Sequence, residues 1–234
     1  MTTRVVLGNG TPVQVFGSPE APRGLIVLQE AFGVTDHIRE VAQRFADEGF
    51  YVVAPELFHR VGSPEFAYDD YASVAPAMAS LNPDGLAEDL AGAETFLNAA
   101  GYPNASIGVV GYCMGGSVAF YADTLGLVGA AVTFYGGGVA TGRFGLPPLV
   151  ELAPSLRAPW LGLYGDLDQG IPPVEVEALR AAAATSHVAT EVVRYPNANH
   201  GFNCDARPAA YNAEAAADGT RRALEFFTST LAVK

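Results

Sequence analysis

Short apolar runs alternate with longer segments of helical periodicity along most of this 234-residue chain. Nearly continuous apolar runs, which are typical of strands buried on both faces, are GLIVLQE, FYVVAPELF, ASIGVVGY, VGAAVTFYG and PWLGLYG. Helical spacing is clear in HIREVAQRFADEG, where Ile38, Val41 and Phe45 share a face and Gly49 closes the segment. Strands that alternate with helices favour a parallel sheet covered on both faces.

The remaining segments fit the same pattern. Further strands are predicted over TRVVL and PVQVF, around the turn GNG, and over ATEVVRYP. Further helices are predicted over NPDGLAEDLAGAETFLNAAG, MGGSVAFYADTL and PPVEVEALRAAAAT, and from about Pro208 to Leu231. Residues 60–80 show no clear pattern, and the Gly/Pro-rich segment YGGGVATGRFGLPPLVELAPSLRAP predicts a long loop. We therefore expect residues 1–234 to form a single doubly wound α/β domain.

The charge balance disfavours some partners. The formal net charge is -12, and the only lysine is Lys234. Nucleic acid and anionic membrane surfaces are disfavoured, because both are bound through rows of cationic side chains. A small anionic substrate is allowed, since one or two arginines suffice to bind a carboxylate. We expect no metal and no other cofactor, because no His/Cys/Asp cluster has ligand spacing.

The N-terminal segment MTTRVVLGNGTPV does not resemble a signal peptide, and no run approaches the length of a membrane span. The two cysteines, Cys113 and Cys204, are far apart in sequence. We expect both to be reduced thiols in a cytoplasmic protein, with a redox or disulfide role for Cys204 as a minor alternative. The sequence does not indicate an oligomeric state.

The segment GYCMGG is a candidate nucleophile turn. Gly111 and Gly115 bracket Cys113, a strand precedes the segment and a helix follows it. A helix N-terminus favours a thiolate, so this position suits a reactive cysteine. The alternative is a small buried cysteine in a Gly-rich turn.

A base and an acid follow in the order expected for a catalytic triad. His200, in NANHGFN, lies just after the last strand, whereas His37, His59 and His187 occupy a helix start, a loop and a polar stretch. Asp166 and Asp168 both follow the strand WLGLYG, and we prefer Asp168 as the orienting acid, with Asp166 serving the turn. Each feature follows a predicted strand, where open α/β sheets build their sites.

These segments together resemble the dienelactone hydrolase family of α/β-hydrolases. The resemblance runs from LIVLQEAFGV through GYCMGG and GDLDQGIP to NHGFN, which is nearly the whole chain. It implies the α/β-hydrolase fold, a triad of Cys113, Asp168 and His200, and Glu30 as a carboxylate gate. In the family the resting thiol is directed to this glutamate, which takes the thiol proton when substrate binds. From the residues alone, Glu30 ends an apolar strand, where a carboxylate is costly unless it is hydrogen-bonded; an exposed loop position is the alternative.

The resemblance also implies an oxyanion hole and a substrate pocket. The backbone N–H groups of Met114 and Ala31 are the expected oxyanion donors. Family members that open dienelactone bind its carboxylate with arginines; here Arg207 follows the histidine by seven positions, and no arginine lies between Arg60 and Arg143. Arg60 and Arg207 are candidates for binding an anionic group or are surface residues. Candidates for an apolar pocket wall, or for plain packing, are Phe32, Phe58, Tyr135 and Phe202.

We therefore expect a hydrolase of small esters or lactones that works through a cysteine acyl-enzyme. One alternative is a carboxylesterase or thioesterase with an unrelated substrate. Another is a non-catalytic binding protein with the α/β-hydrolase fold, which the complete set of four site residues argues against.

Overall fold

The computed structural model describes residues 2–234 and is built on one eight-stranded sheet, in the order β1-β2-β4-β3-β5-β6-β7-β8. The strands are β1 (Thr3–Val6), β2 (Pro12–Phe16), β3 (Arg23–Leu28), β4 (Phe50–Pro55), β5 (Ile107–Tyr112), β6 (Ala130–Phe134), β7 (Trp160–Gly165) and β8 (Thr190–Tyr195). Strand β2 runs antiparallel to β1 and to β4, and the other five neighbouring pairs are parallel. The predicted fold class, a mostly parallel sheet with helices on both faces, is confirmed.

Helices cover both faces of the sheet. They are α1 (Asp36–Asp47), α2 (Tyr71–Ala79), α3 (Pro83–Ala99), α4 (Met114–Thr124), α5 (Leu149–Leu152), α6 (Pro173–Ala183) and α7 (Ala213–Thr230). The apolar side chains of α1 and α7 pack in one buried cluster, and those of α3, α4 and α6 pack in the other. Two separate cores therefore hold the sheet, as expected for strands buried on both faces. No helix in residues 2–234 has the length and apolar character needed to cross a membrane.

Three segments differ from the sequence prediction. Residues 71–79 form α2, in the stretch without a clear pattern, and α5 interrupts the predicted long loop. The prediction that the last helix begins near Pro208 is wrong, because α7 begins at Ala213. The side chain of Asn212 accepts the N–H of Ala215 at 3.0 Å and so caps the helix there.

The parallel strands bring the candidate site residues to one edge of the sheet. Strands β3, β5, β6, β7 and β8 are consecutive neighbours, with Leu28 opposite Gly111 and Tyr112 opposite Phe134. Their carboxyl ends therefore lie side by side, and every segment that carries a predicted triad residue begins there.

Candidate active site

Cys113 lies in a sharp turn between β5 and α4. Its backbone φ is 54°, in the left-handed region that residues other than glycine rarely adopt. A Cβ on Gly111 would lie 1.9 Å from the carbonyl oxygen of Gly115, and a Cβ on Gly115 would lie 2.5 Å from the carbonyl oxygens of Leu28 and Gln29. Gly111 is therefore required for the turn to close on itself, and Gly115 is required for the turn to pack against the end of β3. Cys113 is half-buried in this turn, at the N-terminus of α4.

The three predicted triad side chains form a hydrogen-bonded line. The Sγ atom of Cys113 lies 3.1 Å from Nε2 of His200, and Nδ1 of His200 lies 2.6 Å from Oδ2 of Asp168. The other oxygen of Asp168 accepts the N–H groups of Gly170 and Ile171, at 2.8 Å and 3.2 Å. These bonds fix the carboxylate, so the imidazole can keep a proton on Nδ1 and turn Nε2 to the sulfur.

The contact between Cys113 and His200 favours charge separation. Burial opposes ionisation of the thiol, but the adjacent His200 outweighs it and lowers the pKa of Cys113. Burial also opposes protonation of His200, but Cys113 and Asp168 outweigh it and raise the pKa of His200 to about 10. The two groups titrate as a pair, and the favoured form is a thiolate beside an imidazolium. This is the form in which a cysteine attacks a carbonyl carbon.

The competing acid and one competing histidine have other partners. Asp166 forms a bidentate ion pair with Arg194, with distances of 2.7 Å and 2.9 Å. His59 lies 3.0 Å from the buried carboxylate of Asp89. The structure therefore brings neither Asp166 nor His59 to the thiol.

Glu30 is buried beside the thiol but does not bind it. Its Oε1 atom accepts a hydrogen bond of 3.4 Å from the hydroxyl of Tyr135, and its Oε2 atom has no partner within residues 2–234. The resemblance predicts a contact between the thiol of Cys113 and this carboxylate; the sulfur instead faces His200. Tyr135 is buried, has a φ of 40°, and places its ring 5.1 Å from the ring of His200. The structure thus pairs Glu30 with Tyr135 rather than with Cys113.

The two predicted oxyanion donors are the backbone N–H groups of Met114 and Ala31. The backbone N–H of Met114, the first residue of α4, is one of the groups that lower the pKa of the Cys113 thiol. The N–H of Ala31 donates no hydrogen bond to any residue in the described range 2–234. The end of β3 is fixed against the turn, because the N–H of Gly115 donates to the carbonyl of Gln29 at 3.0 Å. The two predicted donors therefore lie on segments that are bonded to each other.

Arg207 lies in an aromatic surrounding and has no carboxylate partner in the described part of the chain. Its guanidinium lies 5.5 Å from the ring centre of Phe32 and 5.8 Å from that of Tyr68, and its Nη2 atom donates to the Tyr71 hydroxyl at 3.1 Å. Burial lowers the pKa of Arg207 and the charge of Glu30 raises it, with a net rise. Arg207 is thus a permanent cation close to the buried carboxylate, with free hydrogen-bond donors.

The structure does not bring Arg60 to the site. Its Nη1 atom binds the buried Asp89 at 2.7 Å and its Nη2 atom binds Glu88 at 2.9 Å, so both terminal nitrogens of the guanidinium have carboxylate partners. Phe58 and Phe202 are almost fully buried and belong to the two cores. For these two aromatic residues, plain packing is the interpretation that the structure favours.

Sequence reasoning missed two site residues and left one open. Tyr68 and Tyr71 fall in the segment with no clear pattern, and no spacing rule links them to Arg207. Cys204 is a free, fully buried thiol, and burial with the charge of Glu30 raises its pKa to about 12. A thiol that stays protonated is a poor nucleophile, so of the two cysteines Cys113 is the one whose surroundings favour a thiolate.

Known protein sequences and structures are similar to this chain over almost its whole length. The model of the dienelactone hydrolase family matches residues 13–231. A protein of Escherichia coli named "Putative carboxymethylenebutenolidase" is 37% identical over 205 residues, which are 87% of this chain and 75% of that protein. "Carboxymethylenebutenolidase" of Pseudomonas putida is 30% identical over 217 residues, 90% of this chain and 88% of that protein. The crystal structure of a "Putative Dienelactone Hydrolase" from Klebsiella pneumoniae is similar with a TM-score of 0.86 and 33% identity, covering 97% of this chain and 98% of that one.

Proposed function

Because the chain belongs to the dienelactone hydrolase family, whose members are hydrolases of ester or lactone bonds, we propose that it cleaves small esters or lactones through a cysteine acyl-enzyme. The observation that carries the proposal is the line from Cys113 through His200 to Asp168, with contacts of 3.1 Å and 2.6 Å. The line begins at the N-terminus of α4, where the helix dipole stabilises a thiolate.

Acylation begins when the thiolate of Cys113 attacks the carbonyl carbon of the substrate. The resulting oxyanion accepts hydrogen bonds from the N–H groups of Met114 and Ala31, and one such donor typically stabilises the transition state by about 3 kcal/mol. As the tetrahedral intermediate collapses, His200 gives its Nε2 proton to the leaving alkoxide or enolate oxygen. The products of this half-reaction are a thioester on Cys113 and an alcohol or enol; a lactone opens to a single acyl chain that carries both groups.

In deacylation His200 acts as a base, whereas in acylation it acts as an acid. His200, now neutral, takes a proton from a water molecule, and the hydroxide attacks the thioester carbonyl. Asp168 holds the Nδ1 proton of the imidazole and stabilises the imidazolium that forms. Loss of the thiolate then releases the carboxylic acid and restores the ion pair with His200.

Glu30 is proposed as the proton acceptor that activates the thiol. The buried Oε2 atom of Glu30 has no hydrogen-bond partner within residues 2–234, so one carboxylate oxygen is left to accept a proton. In the proposed step the S–H bond of a neutral Cys113 thiol breaks, its proton bonds to Glu30, and the sulfur turns to His200, which already carries a proton on each ring nitrogen. The proton on Glu30 stays there while His200 gives its Nε2 proton to the leaving group and regains one from water. The gate limits oxidation only while the neutral thiol is turned to Glu30, an orientation that differs from the one in the structure, where the sulfur faces His200.

Arg207 is proposed to bind an anionic group of the substrate. A carboxylate can replace the neutral hydroxyl of Tyr71 as the acceptor for the Arg207 guanidinium, and a charge-assisted hydrogen bond is about twice as strong as a neutral one. The rings of Phe32 and Tyr68 then line an apolar region beside the anion-binding group. This favours a small, flat, carboxylate-bearing ester or lactone.

The test compares a nitrophenyl acetate ester with dienelactone as substrates. We expect Cys113→Ala to lower kcat by about 10⁴-fold on both, whereas the matched control Cys204→Ala keeps turnover. Arg207→Gln should raise KM for dienelactone by about 10- to 100-fold and change KM for the neutral ester little. A slowly deacylated ester should leave an acyl group on the Cys113 peptide in mass spectrometry.

Several outcomes separate the alternatives. Turnover by Cys113→Ala equal to that of the parent would remove the cysteine mechanism. Faster hydrolysis of thioesters than of oxygen esters would favour a thioesterase. No turnover of any ester, together with a thiol inert to iodoacetamide, would favour a binding protein. Normal turnover and normal thiol protection in Glu30→Gln would remove the gate and leave the triad standing.

A further inference from the structure

The segment between β8 and α7, residues 196–212, carries the candidate base and Arg207 but contains neither helix nor strand; we call it the base loop. Consecutive turns hold its middle part together. The N–H of Cys204 donates to the carbonyl of Gly201 at 2.9 Å, and the N–H of Arg207 donates to the carbonyl of Cys204 at 3.0 Å. Asp205 lies inside the second turn. A displacement of Asp205 is therefore passed to both ends of this run of turns.

Two side chains of α1 bind the carboxylate of Asp205. Its Oδ1 atom lies 2.9 Å from Nδ1 of His37, and its Oδ2 atom lies 3.3 Å from Nη2 of Arg44. The His37 side chain is wholly buried, whereas Asp205 is half exposed. Apart from the contact of His200 with Asp168, these are the ion pairs that join the base loop to another element within residues 2–234.

The contact with Asp205 favours one tautomer of the His37 ring. Only Nδ1 of His37 has a partner; Nε2 is buried and has none among the described residues. A ring with its proton on Nδ1 satisfies the contact, whereas a proton on Nε2 would have no acceptor. Burial opposes ionisation of Asp205, but the hydrogen bond from His37 and the charge of Arg44 outweigh it, and the pKa of Asp205 is lowered.

The contact also joins the two halves of the candidate site. His37 is near the start of α1, and the segment before α1 carries Glu30 and the oxyanion donor Ala31. The base loop carries the imidazole and Arg207. A single contact between His37 and Asp205 thus connects the segment of the carboxylate and the oxyanion donor with the segment of the base and the anion-binding group.

We propose that His37 and Asp205 are positioning residues: their contact fixes the base loop against α1 and thereby sets the place of His200 beside Cys113 and the place of Arg207. The roles of His200 and Arg207 in this statement rest on the proposed function. Neither His37 nor Asp205 touches the reacting atoms.

The experiment follows alkylation of Cys113, localised by mass spectrometry, with neutral iodoacetamide and anionic iodoacetate across a range of pH. The main variant is Asp205→Ala, because a half-exposed residue can be truncated without opening the core. Displacement of His200 should move the alkylation profile to higher pH, with a loss of about tenfold in rate near pH 6. Displacement of Arg207 should lower the preference for iodoacetate over iodoacetamide.

Three further variants test the contact itself. His37→Leu should reproduce both effects, and the double variant with Asp205→Ala should be no worse than either single change. His37→Asn places an N–H donor near the position of Nδ1 and should restore most of the parent behaviour. The matched control is His59→Leu, which removes a histidine–aspartate contact of 3.0 Å with Asp89 that does not involve the base loop; both readouts should stay unchanged.

The outcomes are separable. A lower free energy of unfolding with an unchanged pH profile and reagent preference would mean a merely structural contact and would overturn the proposal. A higher preference of Asp205→Ala for iodoacetate would also overturn it, because that is the effect of removing a negative charge without displacing Arg207. Alkylation does not require turnover, so failure of the hydrolase proposal, seen as an active Cys113→Ala, is read separately from these results.

Discussion

Asp123, near the C-terminal end of α4, has a buried carboxyl group with an unusual titration. Its Oδ1 atom accepts the N–H groups of Arg157 and Ala158 at 2.7 Å and 3.0 Å, and Oδ2 has no partner within residues 2–234. Burial, only partly offset by these two bonds, raises the pKa of Asp123 from 3.8 to about 6. Asp123→Asn keeps the accepting oxygen and removes the ability to ionise.

The expected magnitude follows from this shift. A difference of about 2 pKa units corresponds to about 3 kcal/mol of unfolding free energy. Between about pH 4 and pH 6 the folded state binds more protons than the unfolded state, so the stability of the parent falls as the pH rises. The loss of unfolding free energy caused by ionising the buried Asp123 is absent below this pH window and fully present above it. We expect Asp123→Asn to gain about 3 kcal/mol on the parent between about pH 4 and pH 7.

The measurement is urea unfolding at several pH values, followed by the fluorescence of Trp160, the only tryptophan. The matched control is Asp47→Asn, which neutralises an exposed aspartate at the end of α1. The position of Oδ2 lacks a partner in both the parent and Asp123→Asn, so its cost largely cancels in the comparison. Parallel curves of stability against pH for the parent and Asp123→Asn would refute the reasoning. Ester turnover at neutral pH should be unchanged, because Cys113 lies at the opposite end of α4.

Three further changes have definite expected results. Asp168→Asn removes the carboxylate that holds the imidazole proton; steady-state kinetics should show kcat lower by about 10²- to 10⁴-fold with a much smaller change in KM, and an unchanged kcat would contradict its role. Gly111→Ala places a Cβ 1.9 Å from the carbonyl oxygen of Gly115 and should abolish soluble, cooperatively unfolding protein, as judged by circular dichroism. Gly201→Ala places a Cβ 2.6 Å from Nη1 of Arg207, at a φ of +79°, and should raise KM for a carboxylate-bearing lactone more than for a neutral ester. Equal changes in the two KM values would place Arg207 outside the substrate site.

The sheet was predictable because its signal is local. The run in GLIVLQE and the face formed by Ile38, Val41 and Phe45 each fix an element without reference to the rest of the chain. Helix α2 has no comparable signal, since Pro76 lies inside it and only Val74 and Ala77 are buried. The start of α7 depends on the cap by Asn212, which competes with an apparently helical stretch before it.

The candidate site residues also divide into those with a local sequence signal and those without one. Cys113, Asp168 and His200 are placed by the strands that precede them, so chain order alone predicts their meeting. Arg60 was open to two interpretations because its partner, Asp89, lies on a helix 29 positions away. The contact of His37 with Asp205 joins residues 168 positions apart, and no local sequence pattern predicts it.

The strand order has a consequence for how the protein comes into being. Glu30 and Cys113 lie on the centre of the sheet, in the first half of the chain, whereas Asp168 and His200 follow β7 and β8 at its edge. A chain that folds from its N-terminus forms the thiol turn before the base is in place. Until the last strand docks, the thiol has no imidazole neighbour and lacks the main contribution that lowers its pKa. If the proposed function holds, the thiol becomes a nucleophile only at the final step of folding.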